Sequence, residues 1–325
     1  MVGSDANAAG PAGPTGPADA AAVVEADGLV KRWGSTTVLT GTSFTIGHGV
    51  TGLLGANGTG KTTIIGMLLG LHHADDGRLR VLGLDPVAAG PEVRARVGYS
   101  PEHQNLPADI RAHDLVRHIA ELHGLPRREA TARASDALWQ VGLGEERFRA
   151  FGTMSTGQKQ RVKLAQAIAH DPRLVVLDEP TDGLDPVQRD DMLALIRRVG
   201  TEYGIDVILS SHLLHEVEQI CDAAVILGGG TVATSGTLGD LTAGSDGLLV
   251  EVDGDDAEVA AVCGRLTDAG ATVEVDGRRV VVRAGNATID PRDLVRDAVV
   301  AEGVGIRRLS TRTTRLEDVF LEVGS

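Results

Sequence analysis

The chain has 325 residues, a formal net charge of −14 and 42% apolar residues, enough for about two domains with a substantial core. So acidic a balance argues against a nucleic-acid footprint, which needs a basic face. No run approaches about 18 apolar residues, so no segment reads as a membrane-spanning helix, and any membrane role has to come through a partner.

Residues 1–22 are almost all Ala, Gly, Pro, Asp and small polar residues. They lack the basic start and apolar core of a signal peptide and are expected to be a disordered leader. From Val23 to Ile46 β-formers alternate with turn residues, which predicts two or three antiparallel strands. Trp33 falls in this stretch, and its ring either packs in the core or is free to stack on a nucleotide base. A short apolar strand at 49–54 leads into GANGTGKTT (55–63), and an apolar helix follows. The nine residues match G-x-x-x-x-G-K-[ST] in the strand–loop–helix context that a phosphate-binding loop requires. Glycines let the backbone wrap closely around phosphate oxygens, and the helix start presents unpaired N–H groups and a partial positive charge. The candidate phosphate ligands are therefore Gly55, Asn57, Gly58, Gly60, Lys61, Thr62 and Thr63. Lys61 would neutralise the β- and γ-phosphates and the Thr62 hydroxyl would ligate Mg²⁺. The alternative is a glycine-rich turn with a solvated lysine, but the chain has only four lysines (31, 61, 159 and 163), so one at this position is informative.

Residues 74–86 read as a hairpin, and a short β run within 93–106 ends in the polar loop Pro101-Glu102-His103-Gln104. Leu115, Ile119 and Leu122 have helical spacing over 112–123; Gly124 and Pro126 then break the chain before a second helix at 127–141. His113, His118 and His123 are five apart, so they do not share a helix face, and they read as surface histidines rather than metal ligands. Ser155 and Gln158 have the spacing of a capping box at the start of a long helix that Pro172 ends. Leu174 to Leu177 is the apolar run of a strand buried on both faces of a parallel sheet. It delivers Asp178 and Glu179 to the strand's C-terminal end, where open α/β sheets bind ligands. Adjacent strand residues point to opposite sides, so the two acids are expected to face apart and to have different roles. A helix (187–200), a strand (206–211) ending in His212, a helix (213–221) and a strand (224–227) complete this sheet. A phosphate loop, an acidic pair and a Ser-Ser-His thus close three strands in succession.

Over roughly residues 23–236 the chain resembles the ATP-binding subunit of ABC transporters. The motifs carrying the resemblance are the aromatic Trp33, the Walker A loop (55–62), the polar loop (100–104) and the signature MSTGQ (154–158). After them come Walker B with its glutamate (174–179), the D-loop (182–185) and the switch residue His212. The resemblance implies an α/β P-loop NTPase with a mixed sheet core, an antiparallel β subdomain and a helical subdomain at about 103–170. It also implies roles. Trp33 would stack the adenine, while Asp178 and Glu102 would join Thr62 at Mg²⁺. Glu179 would be the general base, and His212 would contact the γ-phosphate. Ser155, Gly157 and Gln158 would meet the nucleotide held by a second copy of the chain, so that a homodimer sandwiches two ATP molecules, and Asp185 would lie at that interface. Three residues depart from the commoner pattern: Thr156 replaces a glycine, Glu102 a glutamine and Trp33 a tyrosine. The TDGLDP sequence and the helical insert resemble the daunorubicin-resistance branch of drug, antibiotic and lipid exporters. In that branch the multi-spanning permease is a separate polypeptide, which places the ATPase peripherally on the cytoplasmic face of the membrane. A soluble ABC ATPase acting on ribosomes or nucleic acid is the alternative. Such proteins usually carry two cassettes or a long coiled coil; this chain has one cassette, no heptad run and acidic charge, and no nucleic-acid partner is expected. A P-loop kinase would leave the signature unexplained.

The tail, 237–325, has its own pattern: strand 248–252, helix 256–269, two strands around Asp276-Gly277, helix 290–302 and strand 306–312. This is the β-α-β-β-α-β order of the ferredoxin-like split motif, with TRLEDVFLEV as a closing helix. No catalytic constellation is visible in it, and it reads either as a regulatory or assembly module or as a stabilising cap. Cys221 and Cys263 form no metal or redox spacing and read as small buried apolar residues.

Overall fold

The computed structural model describes residues 22–103, 106–243, 247–284, 290–312 and Leu316. The expected leader, Gln104 and the closing helix apart from Leu316 lie outside the described residues. Val24–Trp33 (β1) and Thr36–Ile46 (β2) pair antiparallel, and Val50–Leu54 (β3) leaves them for a second sheet. Lys61–Leu68 (α1) is followed by Asp76–Val81 (β4), which pairs with β1 in a three-stranded sheet of order β2-β1-β4. The stretch expected to form a hairpin is therefore one strand closed by a tight turn between Val81 and Leu84. Its second arm does not form because the Asp85 side chain accepts from the backbone N–H groups of Val87 and Ala88, curling the chain toward a helix. That helix, Gly90–Arg96 (α2), carries Pro91 in its first turn and was not anticipated; Val97–Ser100 (β5) is the short β run.

The helical insert consists of Ala112–Leu122 (α3) and Arg127–Gln140 (α4), followed through two 3-10 turns by Thr156–Ile168 (α5). Its apolar face differs from the expected one. Ala112, Leu115, Val116 and Ala120 are buried, whereas Leu122, at the end of α3, is 69% exposed. Leu174–Asp178 (β6), Pro186–Thr201 (α6), Asp206–Ser211 (β7), Leu214–Ile220 (α7) and Ala223–Gly228 (β8) follow as expected. Thr231–Thr237 (β9) and the short helix Leu238–Ala243 (α8) were not foreseen. The six-stranded sheet has the order β5-β6-β7-β3-β8-β9, parallel except for β9 at one edge. Thr40 and Thr42 of β2 both donate to the Gly230 carbonyl, which joins the antiparallel sheet to that edge.

The parallel strands are buried on both faces, as the apolar run at 174–177 requires. Val175, Leu177, Val207 and Leu209 pack into one core with α5, α6, α7 and the helical insert. Leu174, Val176 and Ile208 pack into another with α1 and the antiparallel sheet. Helix α5 packs close against the sheet at Gly98, where a Cβ would lie 1.9 Å from the Ala167 carbonyl oxygen.

In the tail, Gly247–Asp253 (β10), Asp256–Asp268 (α9), Ala271–Asp276 (β11), Arg279–Ala284 (β12), Pro291–Glu302 (α10) and Gly305–Arg312 (β13) keep the β-α-β-β-α-β order read from the sequence. The strands form an antiparallel sheet in the order β11-β12-β10-β13, with α9 and α10 packed on Leu248, Val250, Val252, Val280 and Val282. Beyond it, Leu316 is fully buried in the core of the preceding unit, and its backbone N–H donates to Glu218 on α7 at 2.7 Å. Cys221 is buried and Cys263 half-buried.

Candidate functional site

Parallel pairing brings three strand ends side by side. Leu54 of β3 pairs with Ser211 of β7, and Asp178 of β6 pairs with Ser210. The chain leaving each strand therefore enters one cleft at the C-terminal edge of the sheet. A cavity of about 410 Å³ lies there. It is lined by Asn57, Gly58, Gly60, Lys61, Thr62, Thr63, Glu102, Asp178, Glu179 and His212, ten of the residues singled out from the sequence. Val38, Ala56 and Asp182 complete the lining. Val38 gave no sequence signal, being one apolar residue of a strand, whereas Asp182 sits in the acidic run Asp178-Glu-Pro-Thr-Asp182 and was legible as a neighbour of the pair.

The loop from 55 to 60 has the conformation its glycines permit. Gly60 has φ +109, a region closed to most side chains, and a Cβ on it would meet Leu39 at 2.9 Å. The Gly60 turn sets α1 to start at Lys61, whose Nζ donates to the Gly55 carbonyl at 2.5 Å and lies 3.9 Å from Glu179 Oε1. Gly55 thus takes part through its backbone behind the lysine rather than in the cavity wall. Lys61 is only 7% exposed, so its charge acts in a poorly screened setting.

The expectation that Asp178 and Glu179 face opposite sides is overturned, because both line the same cavity. The strand ends at Asp178, and Glu179 adopts φ +46, a left-handed conformation that turns its side chain back toward the cleft. Its N–H donates to the Ser210 carbonyl and its own carbonyl accepts from Asp182, so the surroundings hold the strained residue in place. Both carboxylates are buried, and burial pushes each above its ordinary range. Lys61 and Lys163 pull Asp178 back, and the His212 hydrogen bond does the same for Glu179. His212 Nδ1 is 2.8 Å from Glu179 Oε2; an ionised carboxylate only accepts, so Nδ1 carries the proton in this pair.

The remaining sequence candidates lie elsewhere. Ser155, Gly157 and Gln158 border a separate hollow of about 240 Å³ with Gly142, Leu143, Glu146, Arg161 and Gln188. Ser155 and Gln158 form the expected capping box: Ser155 Oγ accepts from the Gln158 N–H at 3.3 Å and Gln158 Oε1 from the Ser155 N–H at 3.1 Å. The Ser155 hydroxyl proton remains available to an outside acceptor. Asp185 caps α6 by accepting from the Gln188 N–H. Trp33 is 47% exposed at the end of β1, with the His72 ring edge-on at 5.0 Å and Lys31 Nζ 4.9 Å from its centroid, so its ring is not a core residue.

Lys163, noted in the sequence only as one of four lysines, is buried on α5 and donates to the Glu102 carbonyl at 2.9 Å, tying the polar loop to the helix that begins at the signature. Of the three histidines read as surface residues, only His118 is exposed. His123 stacks on buried His170 at 3.6 Å, because the end of α3 meets the end of α5 there. Among the described residues no three His, Cys, Asp or Glu side chains converge as a metal cage, and none of the helices is long and apolar enough to cross a membrane.

A family model described as ABC transporter matches residues 39–182. The linearmycin resistance ATP-binding protein of Bacillus subtilis is 34% identical over 220 residues, covering 67% of this chain and 70% of that protein. The daunorubicin resistance ATP-binding protein of Streptomyces coeruleorubidus is 31% identical over 302 residues, 92% of this chain and 95% of that protein. A solved ATP-binding subunit of an ABC transporter superposes with a TM-score of 0.60 at 28% identity, covering 68% of this chain and 92% of that one. With relatives matching along nine-tenths of its length and a phosphate loop, acidic pair and histidine gathered in one cleft, the chain belongs to the ABC transporter ATP-binding proteins and is an ATP-hydrolysing subunit that powers transport.

Proposed function

We propose that two copies of the chain close on two ATP molecules and so drive a separate multi-spanning permease that exports a drug, antibiotic or lipid-like compound. The observation that carries this reading is the separation of Ser155, Gly157 and Gln158 from the cleft that holds Lys61: each has its own hollow on the same chain. A helix start with a free hydroxyl proton suits an anion, and the γ-phosphate of ATP held by a second copy is such an anion. A relative named as a Nod factor export ATP-binding protein, from Ralstonia nicotianae and 31% identical over 306 residues, supports export.

In the cleft, Lys61 turns from the Gly55 carbonyl to the phosphates, and Trp33 offers its exposed ring to the adenine. Glu179 accepts the proton of the attacking water, and His212, held by Glu179 through Nδ1, presents the rest of its ring to the γ-phosphate. Thr62, Asp178 and Glu102 supply one hydroxyl and two carboxylates, hard oxygen donors that fit Mg²⁺ when phosphate and water complete its shell. Mg²⁺ held by these three residues would supply charge neutralisation to the triphosphate. Asp185 is assigned to the interface between copies, and the ATPase as a whole to the cytoplasmic face of the membrane, peripherally bound. The tail from 237 onward is assigned to regulation, assembly or capping of the ATPase unit.

Two inactive variants test the composite site. Lys61→Ala and Ser155→Ala copies should each fail to hydrolyse ATP alone, yet regain turnover when mixed, because a mixed dimer has one intact pair of Lys61 and Ser155. No recovery on mixing, with both variants folded, refutes the sandwich. Co-purification with ribosomes or DNA instead of a multi-spanning membrane protein refutes the transport partner.

A further inference from the structure

Glu216 lies on α7, outside the cleft, and is fully buried. A carboxylate with no exposure needs partners, and three elements supply them. Thr181 Oγ1 donates to its Oε1 at 2.7 Å and Ser211 Oγ donates to its Oε2 at 2.7 Å. Arg189 Nε of α6 stands 3.4 Å from Oε1 as the charge partner. Thr181 is two residues beyond Glu179, in the turn where Asp182 N–H meets the Glu179 carbonyl. Ser211 immediately precedes His212, and its Oγ also accepts from the Leu213 N–H. One carboxylate therefore spans the chain leaving β6 and the chain leaving β7, whose ends carry the hydrogen-bonded Glu179–His212 pair.

We propose that Glu216 is a positioning residue for ATP hydrolysis, the buried clamp that fixes the strained Glu179 turn against His212 and lets α6 and α7 set their alignment. Glu179 sits at φ +46, so it keeps its orientation only while its surroundings over-determine it. Beside the Glu179–His212 pair, the Thr181–Glu216–Ser211 bridge ties the two turns together, with both hydroxyls as donors. An amide replaces it incompletely: glutamine offers one accepting oxygen and one donating nitrogen. The hydroxyl facing the nitrogen has to turn from donor to acceptor, so its own proton loses the buried carboxylate oxygen it bonds. The ion pair with Arg189 is lost as well. Displacing reacting groups by about an ångström lowers turnover by about a hundredfold, so a tenfold to hundredfold fall in kcat is the expected scale.

This inference rests on the reading of Glu179 and His212 as the catalytic pair, and the experiment separates the two. ATP turnover, ATP affinity and thermal melting are measured on the full chain for Glu216→Gln, Thr181→Val, Thr181→Ser and Glu179→Gln. The expected result has four parts: kcat in Glu216→Gln lower by tenfold or more with ATP affinity held within about twofold; a similar loss in Thr181→Val; near-normal turnover in Thr181→Ser; and no further loss when Glu216→Gln and Thr181→Val are combined. If Glu216→Gln does not fold, Thr181→Val against Thr181→Ser reads the same bridge. Normal turnover in Glu216→Gln or Thr181→Val beside an inactive Glu179→Gln overturns the clamp alone. A fall in kcat that only tracks a loss of folded protein also overturns it. An active Glu179→Gln removes the catalytic reading on which the clamp depends.

Discussion

Replacing Glu179 with glutamine changes one charge and almost no volume, so its effects separate binding from chemistry. Glu179 Oε1 lies 3.9 Å from Lys61 Nζ, and the two side chains are 10% and 8% exposed. At an effective dielectric of about 20 this pair is worth roughly 4 kcal/mol of gross Coulomb attraction, which has to be exchanged for phosphate when ATP binds. The glutamine removes that competitor and the repulsion between carboxylate and triphosphate, so ATP affinity should hold or rise. It also removes the group that takes the proton from water, and general-base catalysis contributes about 10²- to 10⁴-fold, or roughly 3–5 kcal/mol of barrier. The backbone strain at φ +46 is unchanged by the substitution, but buried Lys61 loses its carboxylate partner, so melting of the ATP-free chain should drop. Phosphate release, titration with a fluorescent ATP analogue and size-exclusion chromatography with ATP measure the three consequences. Turnover lost, affinity kept and a dimer accumulating is the expected pattern. Near-normal turnover would remove Glu179 from the chemistry, and weakened ATP binding would contradict the electrostatic argument.

Two further predictions concern the junction between helical insert and sheet. Burial, with stacked His123 adding to it, holds His170 down at about 4, well below the ordinary histidine value. Its contribution to stability is therefore complete above about pH 6.5 and falls as pH drops toward 4, on the order of 3 kcal/mol in all, because the unfolded chain takes up the proton first. Urea midpoints at pH 8 and pH 5 should differ less in His170→Phe than in the parent, and an unchanged difference would refute the assignment. At Gly98 a methyl group would lie 1.9 Å from the Ala167 carbonyl, so Gly98→Ala must push α5 away from β5. The expected loss is about 1–3 kcal/mol in chemical denaturation, with ATP hydrolysis falling more than ATP binding because α5 begins at the signature; unaltered stability would show that the approach is looser.

The order of chemistry along this chain was fully legible in one dimension. The phosphate loop, the run Leu174–Leu177 before two acids and the strand before His212 are local patterns, and local patterns fix element type and which strand end carries which group. The helix start at Ser155 was legible for the same reason, since a capping box is made by residues three apart. What tertiary structure decided was direction and company. Asp178 and Glu179 share one cavity because the second acid leaves the strand at φ +46, a conformation held by the Ser210 carbonyl of β7 and by Asp182 in the same turn. Alternation along a strand cannot foresee that. Leu122 had the spacing of a core residue yet is exposed, while His123 beside it is drawn against His170, because the meeting of α3 with α5 sets which face is covered. Glu216 carried no signal of its own within the helix expected at 213–221; only the adjacency of β6 and β7 gives its carboxylate two hydroxyl donors. Sequence determines which groups each strand end carries, and packing determines which way they point, because orientation depends on contacts between residues far apart in the chain.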